Sequence, residues 1–285
     1  ASLRPAHWVK NTFVFAALIF SSNFLKPGKW AGSILAFVAF CLASSATYLL
    51  NDVLDYGLDQ LHPLKRNRAV AAGDLPRSWA LVAALFLFAA GIALAFGINL
   101  RTGQAVLAYV LITAAYSALL KRVPILDIGI IAAGFVLRAY AGATAIEVYP
   151  SPWLITCSFL LAAFLALCKR LHELDLLGDK SQAHRLSLGV YSRSQLVGMI
   201  MACALMTVVV YTLYTIQPST VRQVRGPALI FTLPFVLYGI GRYLYLVLKQ
   251  DGGGRPVRTF LTDWQLLATV GGWAAVSAAI IAARL

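Results

Sequence analysis

Three aspartates near the end of an apolar stretch have the spacing of a metal site. Asp52, Asp55 and Asp59 are separated by three and four residues in the sequence NDVLDYGLD, with Asn51 directly before them. On a helix, the three carboxylates fall within about 60° of arc and repel one another unless a cation lies between them. Mg²⁺ prefers oxygen ligands and usually bridges one or two carboxylates to substrate phosphates. The spacing predicts a Mg²⁺ site with Asn51 at its edge; the alternative is a solvated helix end.

A group of basic residues follows the aspartates. Lys65, Arg66 and Arg68 follow within five residues of Pro63, which is expected to end the helix. Cations beside metal-binding acids suit a ligand that carries phosphate, because Arg binds phosphate through paired hydrogen bonds and Lys acts as a point charge. We expect these three cations to contact such a substrate. The alternative is that they only set the membrane topology.

A second polar cluster begins at residue 168, in the sequence CKRLHELDLLGDKSQAHR. Lys169 and Glu173 are four residues apart and share a helix face, with Arg170 about 100° away around the axis. Asp175 and Asp179 are also four apart, but on a different face from Lys169. The sequence leaves open whether both pairs reach one cavity. The simplest alternative is an ion pair between Lys169 and Glu173, worth only tenths of a kcal/mol.

The elements that position these residues are membrane-spanning helices. The chain is 60% hydrophobic and only 12% charged, with a mean hydropathy of +0.77, which is outside the range of ordinary soluble domains. Uncharged runs near the length needed to cross a bilayer cover 30–50, 78–100, 102–120, 148–168, 194–221 and 264–283. Three further apolar segments, 8–25, 125–146 and 227–248, carry charges inside or at their edges. The predicted fold is an all-α integral membrane bundle of nine spans.

The distribution of charge predicts how the bundle is oriented. Sixteen of the 24 Lys and Arg residues fall on one face of a nine-span bundle, and the positive-inside rule makes that face cytoplasmic, with the N-terminus inside and the C-terminus outside. The net charge of +13 therefore reflects topology, and no nucleic-acid partner is expected. The two polar clusters lie four spans apart and hence on the same face. We expect one transmembrane catalytic domain, 1–285, in the inner or plasma membrane, with cytoplasmic cap loops 51–77 and 169–193.

The aspartate motif resembles the NDxxDxxxD signature of the UbiA superfamily of intramembrane prenyltransferases. Its position after the second span, the span count and the cytoplasmic side all agree with that superfamily. The likeness is greatest to the decaprenyl-phosphate phosphoribosyltransferase branch and covers essentially the whole chain. It is carried by HPLKRNRAVAAG, YSALLK at 116–121, LRAYAGA around Arg138, CKRLHEL at 168–174, SLGVYS at 187–192, and the pattern of Asp251, Gly252, Gly253, Pro256 and Asp263.

The resemblance implies a reaction and a set of site residues. The reaction is Mg²⁺-dependent transfer of 5-phosphoribose from phosphoribosyl diphosphate to a polyprenyl (decaprenyl) phosphate, with release of diphosphate, in cell wall biosynthesis. The expected catalytic residues are Asp52, Asp55 and Asp59, which also bind the metal, with Lys169 and Arg170 as extra cations for the donor's phosphates. The expected substrate-binding residues are Asn51, Lys65, Arg66, Arg68, Lys121, Arg138, Glu173, Arg185 and Tyr191. Among them, Arg138 is assigned to the polyprenyl phosphate, and Arg185 and Tyr191 to the 5-phosphate.

One feature of the sequence favours a different enzyme. Aromatic prenyltransferases of the superfamily carry a second DxxxD motif after the sixth span, and Asp175 and Asp179 satisfy that spacing. The alternative reaction is prenyl transfer from a polyprenyl diphosphate to an aromatic acceptor such as 4-hydroxybenzoate. A third alternative is a transporter or lipid-binding scaffold in which the acids form an ion site. The sequence gives neither the polyprenyl chain length nor the oligomeric state.

Overall fold

The computed structural model describes residues 3–21, 23–61, 65–118, 126–177, 191–223, 226–249, 254 and 256–283, and every regular element in these ranges is helical. The α-helices are α1 (Ala16–Phe20), α2 (Pro27–Leu54), α3 (Tyr56–Leu61), α4 (Ala69–Ala72), α5 (Arg77–Ile98), α6 (Leu100–Ala118), α7 (Leu126–Ala145), α8 (Pro152–Leu177), α9 (Arg193–Ile216), α10 (Pro218–Gln223), α11 (Leu233–Lys249), α12 (Pro256–Thr262) and α13 (Trp264–Ala282). The 3₁₀ segments are η1 (Pro5–Phe15), η2 (Asn23–Leu25) and η3 (Pro227–Thr232).

Seven helical segments in the described part of the chain are long and apolar enough to cross a membrane. They are Pro27–Leu54, Arg77–Ile98, Leu126–Ala145, Pro152–Asp175, Arg193–Ile216, Pro227–Lys249 and Trp264–Ala282. The other two predicted spans differ: the described residues of 8–25 lie mainly in η1, α1 and η2, and 102–120 falls in α6, with its last two residues outside the described ranges. The predicted all-helical membrane fold is confirmed in its class, whereas nine spans and their orientation stay predictions.

Local sequence signals account for several helix ends. Ser192 and Gln195 form a capping box at the start of α9, in which the Ser192 hydroxyl accepts from the Gln195 N–H and the Gln195 side chain accepts from the Ser192 N–H. This exchange satisfies two backbone donors that lack helical partners. Pro27 opens α2, where its missing N–H costs nothing. Gly73 ends α4 with a φ of +88°, a conformation that glycine adopts without strain.

The chain folds into two compact units. Unit 1 comprises Ala1–Leu18, Lys26–Lys121 and Leu137–Pro150, and unit 2 comprises Ile19–Leu25, Arg122–Val136 and Ser151–Leu285. Unit 1 contains the first polar cluster, and unit 2 contains the second.

In unit 1, the N-terminal segment η1 is fixed to the helices by buried side chains. Eleven residues of 3₁₀ helix are unusually long, since such runs rarely exceed three or four residues. Asn11 anchors the segment: its amide donates to Ser44 Oγ at 3.3 Å, and its carbonyl accepts from Arg138 Nε at 2.8 Å. Trp8 adds a bond from Nε1 to Ser45 Oγ at 3.1 Å. Interactions with α2 and α7 therefore hold a segment whose local geometry is weak by itself.

A glycine on α7 permits the close approach of η1. A Cβ added at Gly142 would lie 2.7 Å from the carbonyl carbon of Val14 and 2.9 Å from its Cα. Because those atoms are backbone, they cannot rotate away as a side chain would. Any residue larger than glycine at this position must push η1 outward.

Unit 2 packs around a polar and aromatic group inside its apolar helices. The Tyr211 hydroxyl accepts from Trp273 Nε1 at 2.8 Å and lies 2.6 Å from Thr232 Oγ1. The ring of Phe20 lies against that of Trp273, at 5.4 Å between centroids. The polar atoms of Tyr211, Thr232 and Trp273 thus serve as partners for one another, as an apolar environment requires.

We predict that Gly142→Ala destabilises the protein by about 1–3 kcal/mol, the usual cost of overpacking. Gly129→Ala is the matched control on the same helix, because nothing lies within 4 Å of a Cβ at Gly129. The control should be neutral or stabilising by up to about 1 kcal/mol, since alanine favours the helix. Thermal unfolding of both variants in detergent measures the difference; equal melting temperatures would contradict the close approach of η1.

Candidate active site

The aspartate motif lies at a break between two helices. α2 ends at Leu54 and α3 begins at Tyr56, while Asp55 between them has φ −92° and ψ 8°, in the sparsely allowed bridge region where active-site residues often lie. Helical bonding nevertheless crosses the break, because the Asp59 N–H donates to the Asp55 carbonyl at 2.8 Å. The predicted single continuous helix is therefore wrong at this point.

Two of the three carboxylates are buried and converge on one arginine. The side chains of Asp52 and Asp59 are 2% and 3% exposed. The Nη1 atom of Arg68 lies 3.2 Å from Asp52 Oδ1 and 2.6 Å from Asp59 Oδ2. Asp55 is only half-buried. The structure thus brings together Asp52, Asp59 and Arg68 from the predicted site.

Arg4 is a site residue that sequence reasoning missed. Its Nη2 atom lies 2.5 Å from Asp52 Oδ1, and its guanidinium stacks over the ring of Tyr48 at 4.8 Å. Its backbone has a φ of +48°, which is uncommon for a residue other than glycine. Next to it, the Leu3 carbonyl accepts from Ser45 Oγ at 3.1 Å. The sequence marks Arg4 only as a charge ahead of an apolar segment, which indicates topology and not a site.

The Asp52–Asp59 pair has the chemistry of a divalent cation site. Among the residues that the structure describes, no group of three or more His, Cys, Asp or Glu side chains is arranged to hold a metal ion. Mg²⁺, however, is commonly held by one or two carboxylates, with waters and substrate phosphates completing its shell. Two buried carboxylates directed at a single positive atom meet that requirement. Asp52 and Asp59 therefore fit the predicted ion, and Asp55 as a third ligand stays a prediction.

The other predicted site residues of unit 1 are less buried than Asp52 and Asp59, or lie outside the described residues. Asn51 is half-buried beside Asp52, and Lys65 and Arg66 are exposed in the turn that precedes Arg68. Their predicted contacts with substrate stay predictions. Lys121 lies outside the described residues.

Arg138 lies in the core of unit 1. In addition to its bond to Asn11, its Nη2 atom donates to the Tyr109 hydroxyl at 3.1 Å. The guanidinium also lies over the rings of Tyr109 and Phe40, at 4.6 and 5.5 Å from their centroids. These contacts join η1, α2, α6 and α7 and account for a buried cation within a span. The predicted contact of Arg138 with a polyprenyl phosphate gains no support from them.

In unit 2, Arg170 is buried in an ion-pair network. Its side chain is 2% exposed, its Nε lies 2.9 Å from Asp127 Oδ2, and its Nη1 also bonds to Glu173. The Lys169 ammonium lies 3.7 Å from Glu173 Oε1, as the simplest alternative predicted, and its side chain is 42% exposed. Of the two predicted catalytic cations, Lys169 is therefore accessible to a ligand, whereas Arg170 joins α8 to α7. An acid inside an apolar span marked Asp127 in the sequence as a residue that needs a partner, but the sequence does not show that the partner is Arg170.

The remaining predicted residues of the second cluster lie at its edge. Asp175 Oδ1 accepts from Arg193 Nε at 2.9 Å, and both side chains are exposed. Tyr191 is half-buried just before the N-cap of α9. Arg185, Asp179 and Asp251 lie outside the described residues.

Asp263, the last residue of the predicted DGG pattern, has a structural partner. Arg242 Nη2 donates to Asp263 Oδ2 at 2.7 Å, and Asp263 Oδ1 accepts from the Leu266 N–H at 2.9 Å, capping α13. Hydrogen bonds from Arg242 hold the pKa of the Asp263 carboxyl below its usual range. The ion pair links α11 to the start of α13.

Comparison with known proteins decides the family. A sequence profile described as the UbiA prenyltransferase family matches residues 12–264. The chain belongs to the UbiA prenyltransferase family. This confirms the family predicted from the NDxxDxxxD motif, and it makes this UbiA member a transferase and an integral membrane protein.

Two similar sequences and one similar structure are informative about this UbiA member. It is 34% identical to a decaprenyl-phosphate phosphoribosyltransferase of Corynebacterium glutamicum, over 95% of this chain and 83% of the relative. It is 30% identical to the enzyme of the same name from Mycobacterium tuberculosis, over 99% and 93%. A UbiA homologue from Archaeoglobus fulgidus, bound to DMAPP and Mg²⁺, has a TM-score of 0.74 at 17% identity, covering 99% of this chain and 98% of that chain. The last likeness shows the fold alone.

We predict that Asp127→Asn lowers the free energy of unfolding by about 3 kcal/mol, because it leaves the buried Arg170 guanidinium short of a charged partner. Asp175→Asn removes an exposed ion pair with Arg193 and should cost no more than about 1 kcal/mol. The two variants make the same change in charge within unit 2. Unfolding in detergent followed by circular dichroism compares them, and a larger loss from Asp175→Asn would refute the assignment.

The Asp263–Arg242 pair should contribute stability that depends on pH. Because the folded pKa of Asp263 lies below its unfolded value of about 3.9, the contribution is full above the unfolded pKa and disappears as pH falls through the folded pKa. The melting temperature of the native chain should exceed that of Asp263→Asn by a constant amount above about pH 5, and the gap should close below about pH 4. A gap that instead widened in acid would contradict the lowered pKa.

Proposed function

We propose that this UbiA member is a Mg²⁺-dependent transferase that moves 5-phosphoribose from phosphoribosyl diphosphate to a polyprenyl phosphate such as decaprenyl phosphate, releasing diphosphate. One observation carries the proposal: the buried Asp52 and Asp59 carboxylates converge on a single cation, in a chain that resembles enzymes of that name along nearly its whole length. The proposal puts the active site at the cytoplasmic face of a nine-span bundle, on the strength of the positive-inside distribution of charge.

The reaction requires the protein mainly to position the two substrates and to stabilise charge. The attacking oxygen of the polyprenyl phosphate is already ionised, so the reaction needs no general base. Attack at C1 of the ribose forms the new C–O bond as the bond to diphosphate breaks, with inversion at that carbon. The chain's task is to align the two substrates and to stabilise the charge on the departing diphosphate.

The site residues divide this task. Asp52 and Asp59 would hold Mg²⁺, which when bound neutralises charge on the diphosphate. Arg68 and the exposed Lys65 and Arg66 are adjacent cations that can bind phosphate oxygens.

In unit 2, Lys169, whose side chain is 42% exposed, is proposed as a cation for the additional 5-phosphate of the donor. Glu173 is shared between Lys169 and the buried Arg170. It therefore keeps the ammonium on the accessible side of α8. In this assignment Arg170 acts through Glu173 and not by touching the donor.

The second candidate is prenyl transfer to an aromatic acceptor. It is favoured by the second DxxxD spacing and by the fold shared with a homologue that binds DMAPP and Mg²⁺. In this chain, however, Asp175 of that motif is exposed and paired with Arg193. Asp52 and Asp59 are also paired with arginine, but they are buried and converge on one nitrogen atom, and two converging carboxylates suit a divalent ion better than one exposed carboxylate.

Diphosphate release by the purified chain tests the two candidates. We expect Mg²⁺-dependent release with phosphoribosyl diphosphate plus decaprenyl phosphate, and none with a prenyl diphosphate plus 4-hydroxybenzoate. Asp59→Asn should slow the first reaction by about a hundredfold or more, the usual effect of removing a group that stabilises transition-state charge. Asp74→Asn, at an exposed acid in the same loop region, is the control with the same change in charge and should keep its rate. Release from the prenyl pair would favour the second candidate.

A further inference from the structure

The position of Arg68 raises a problem for metal binding. Its Nη1 atom is in hydrogen-bond contact with one oxygen of Asp52 and one of Asp59. Mg²⁺ binds its oxygen ligands at about 2.0–2.1 Å and demands near-octahedral geometry. A guanidinium directed at both oxygens and an ion coordinated by the same oxygens compete for one space and for the same negative charge.

The charges of the cluster lead to the same conclusion. Asp52 and Asp59 bring two negative charges into a buried site, and Arg4 and Arg68 bring two positive charges. Burying carboxylates without partners is costly, so the arginines stabilise the chain before any metal arrives. Adding a divalent cation without displacing a guanidinium would leave an excess of positive charge beside it.

The contacts of the two arginines indicate which one moves. Among the residues that the structure describes, the Arg4 guanidinium bonds to Asp52 and also stacks over Tyr48. Arg68 bonds to both carboxylates through one nitrogen, its side chain is 27% exposed, and it lies between an exposed turn and the short helix α4. Displacing Arg68 frees Asp59 and leaves Asp52 Oδ1 with a single guanidinium contact, from Arg4, whereas displacing Arg4 leaves both carboxylates bonded to Arg68.

We propose that Arg68 occupies the metal's place in the free protein and exchanges with it. When Mg²⁺ and a diphosphate are bound together, Asp52 and Asp59 would hold the metal, and the Arg68 guanidinium would turn to the diphosphate oxygens, for which its planar fork is suited. This inference rests on the proposed function, because it needs the metal at Asp52 and Asp59. Arg68 thereby couples the two ligands: metal alone competes with it, and metal with diphosphate gives it a new partner.

This coupling has a consequence that a purely phosphate-binding Arg68 would not have. Removing the guanidinium should strengthen metal binding in the absence of diphosphate, although it weakens binding of the donor. Because coupling between two ligands is reciprocal, the same variant should lose much of the gain in metal affinity that diphosphate produces in the native chain.

The test is Mn²⁺ binding to the purified full chain in detergent, read from the electron paramagnetic resonance signal of free Mn²⁺, with and without inorganic diphosphate. Without diphosphate, Arg68→Gln should bind Mn²⁺ about tenfold more tightly than the native chain, and the enhancement by diphosphate should shrink by a similar factor. Arg77→Gln is the control with the same change in charge. Arg77 stacks over the ring of Tyr56, and the Mn²⁺ affinity of this variant should equal that of the native chain. Equal or weaker Mn²⁺ binding by Arg68→Gln would overturn the exchange.

Two further variants keep the result interpretable. Arg68→Lys keeps the positive charge but holds it as a point charge that bridges the carboxylates less well, so it should tighten Mn²⁺ binding about twofold to threefold. If Arg68→Gln fails to fold, equal or weaker binding by Arg68→Lys refutes the proposal in its place. Asp59→Asn distinguishes failure of the metal site from failure of the exchange. Unchanged Mn²⁺ binding in that variant would refute the metal site at Asp52 and Asp59. If Asp59→Asn loses Mn²⁺ binding, the Arg68 variants test the exchange alone.

Discussion

Burying negative charge at the edge of a membrane domain is the constraint on which the first polar cluster depends. Asp52 and Asp59 are almost fully removed from solvent, and an unpaired ionised carboxylate is not tolerated there. Arg68 comes from the loop after α3, and Arg4 from a segment 48 residues away in sequence. The need to neutralise the two carboxylates therefore fixes the N-terminal segment and the cap loop as well as the motif itself.

The N-terminal segment shows how this requirement extends into the packing of unit 1. Arg4 reaches Asp52 only because η1 is held in place, and η1 is held by the Asn11 contacts, the Trp8 bond and the close approach to Gly142. Arg138 supports the same segment from α7. Arg138, a cation within a span, thus stabilises the segment that places Arg4 beside Asp52.

Unit 2 also has to neutralise buried charge, and it does so with a pair of opposite charges that continues to the surface. Asp127 and Arg170 form a buried pair, Glu173 joins them, and Lys169 lies at the accessible end of the network. Breaking a buried pair costs far more than breaking a surface pair, so the Asp127–Arg170 pair should contribute more stability than the Lys169–Glu173 pair. Of the four side chains in this network, that of Lys169 is the most exposed to solvent.

The sequence by itself determined the class of fold, the family and the carboxylate motif, because hydropathy, spacing and a specific signature are properties of adjacent residues. It predicted Asp52, Asp59 and Arg68 as members of one site for the same reason. It could not find Arg4 or the pairing of Asp127 with Arg170, since nothing in sequence spacing records which distant charges meet. It also treated Lys169 and Arg170 as equivalent, although the Lys169 side chain is 42% exposed and Arg170 is a buried link between helices. Tertiary structure decided these points because the cost of burying a charge depends on its three-dimensional neighbours.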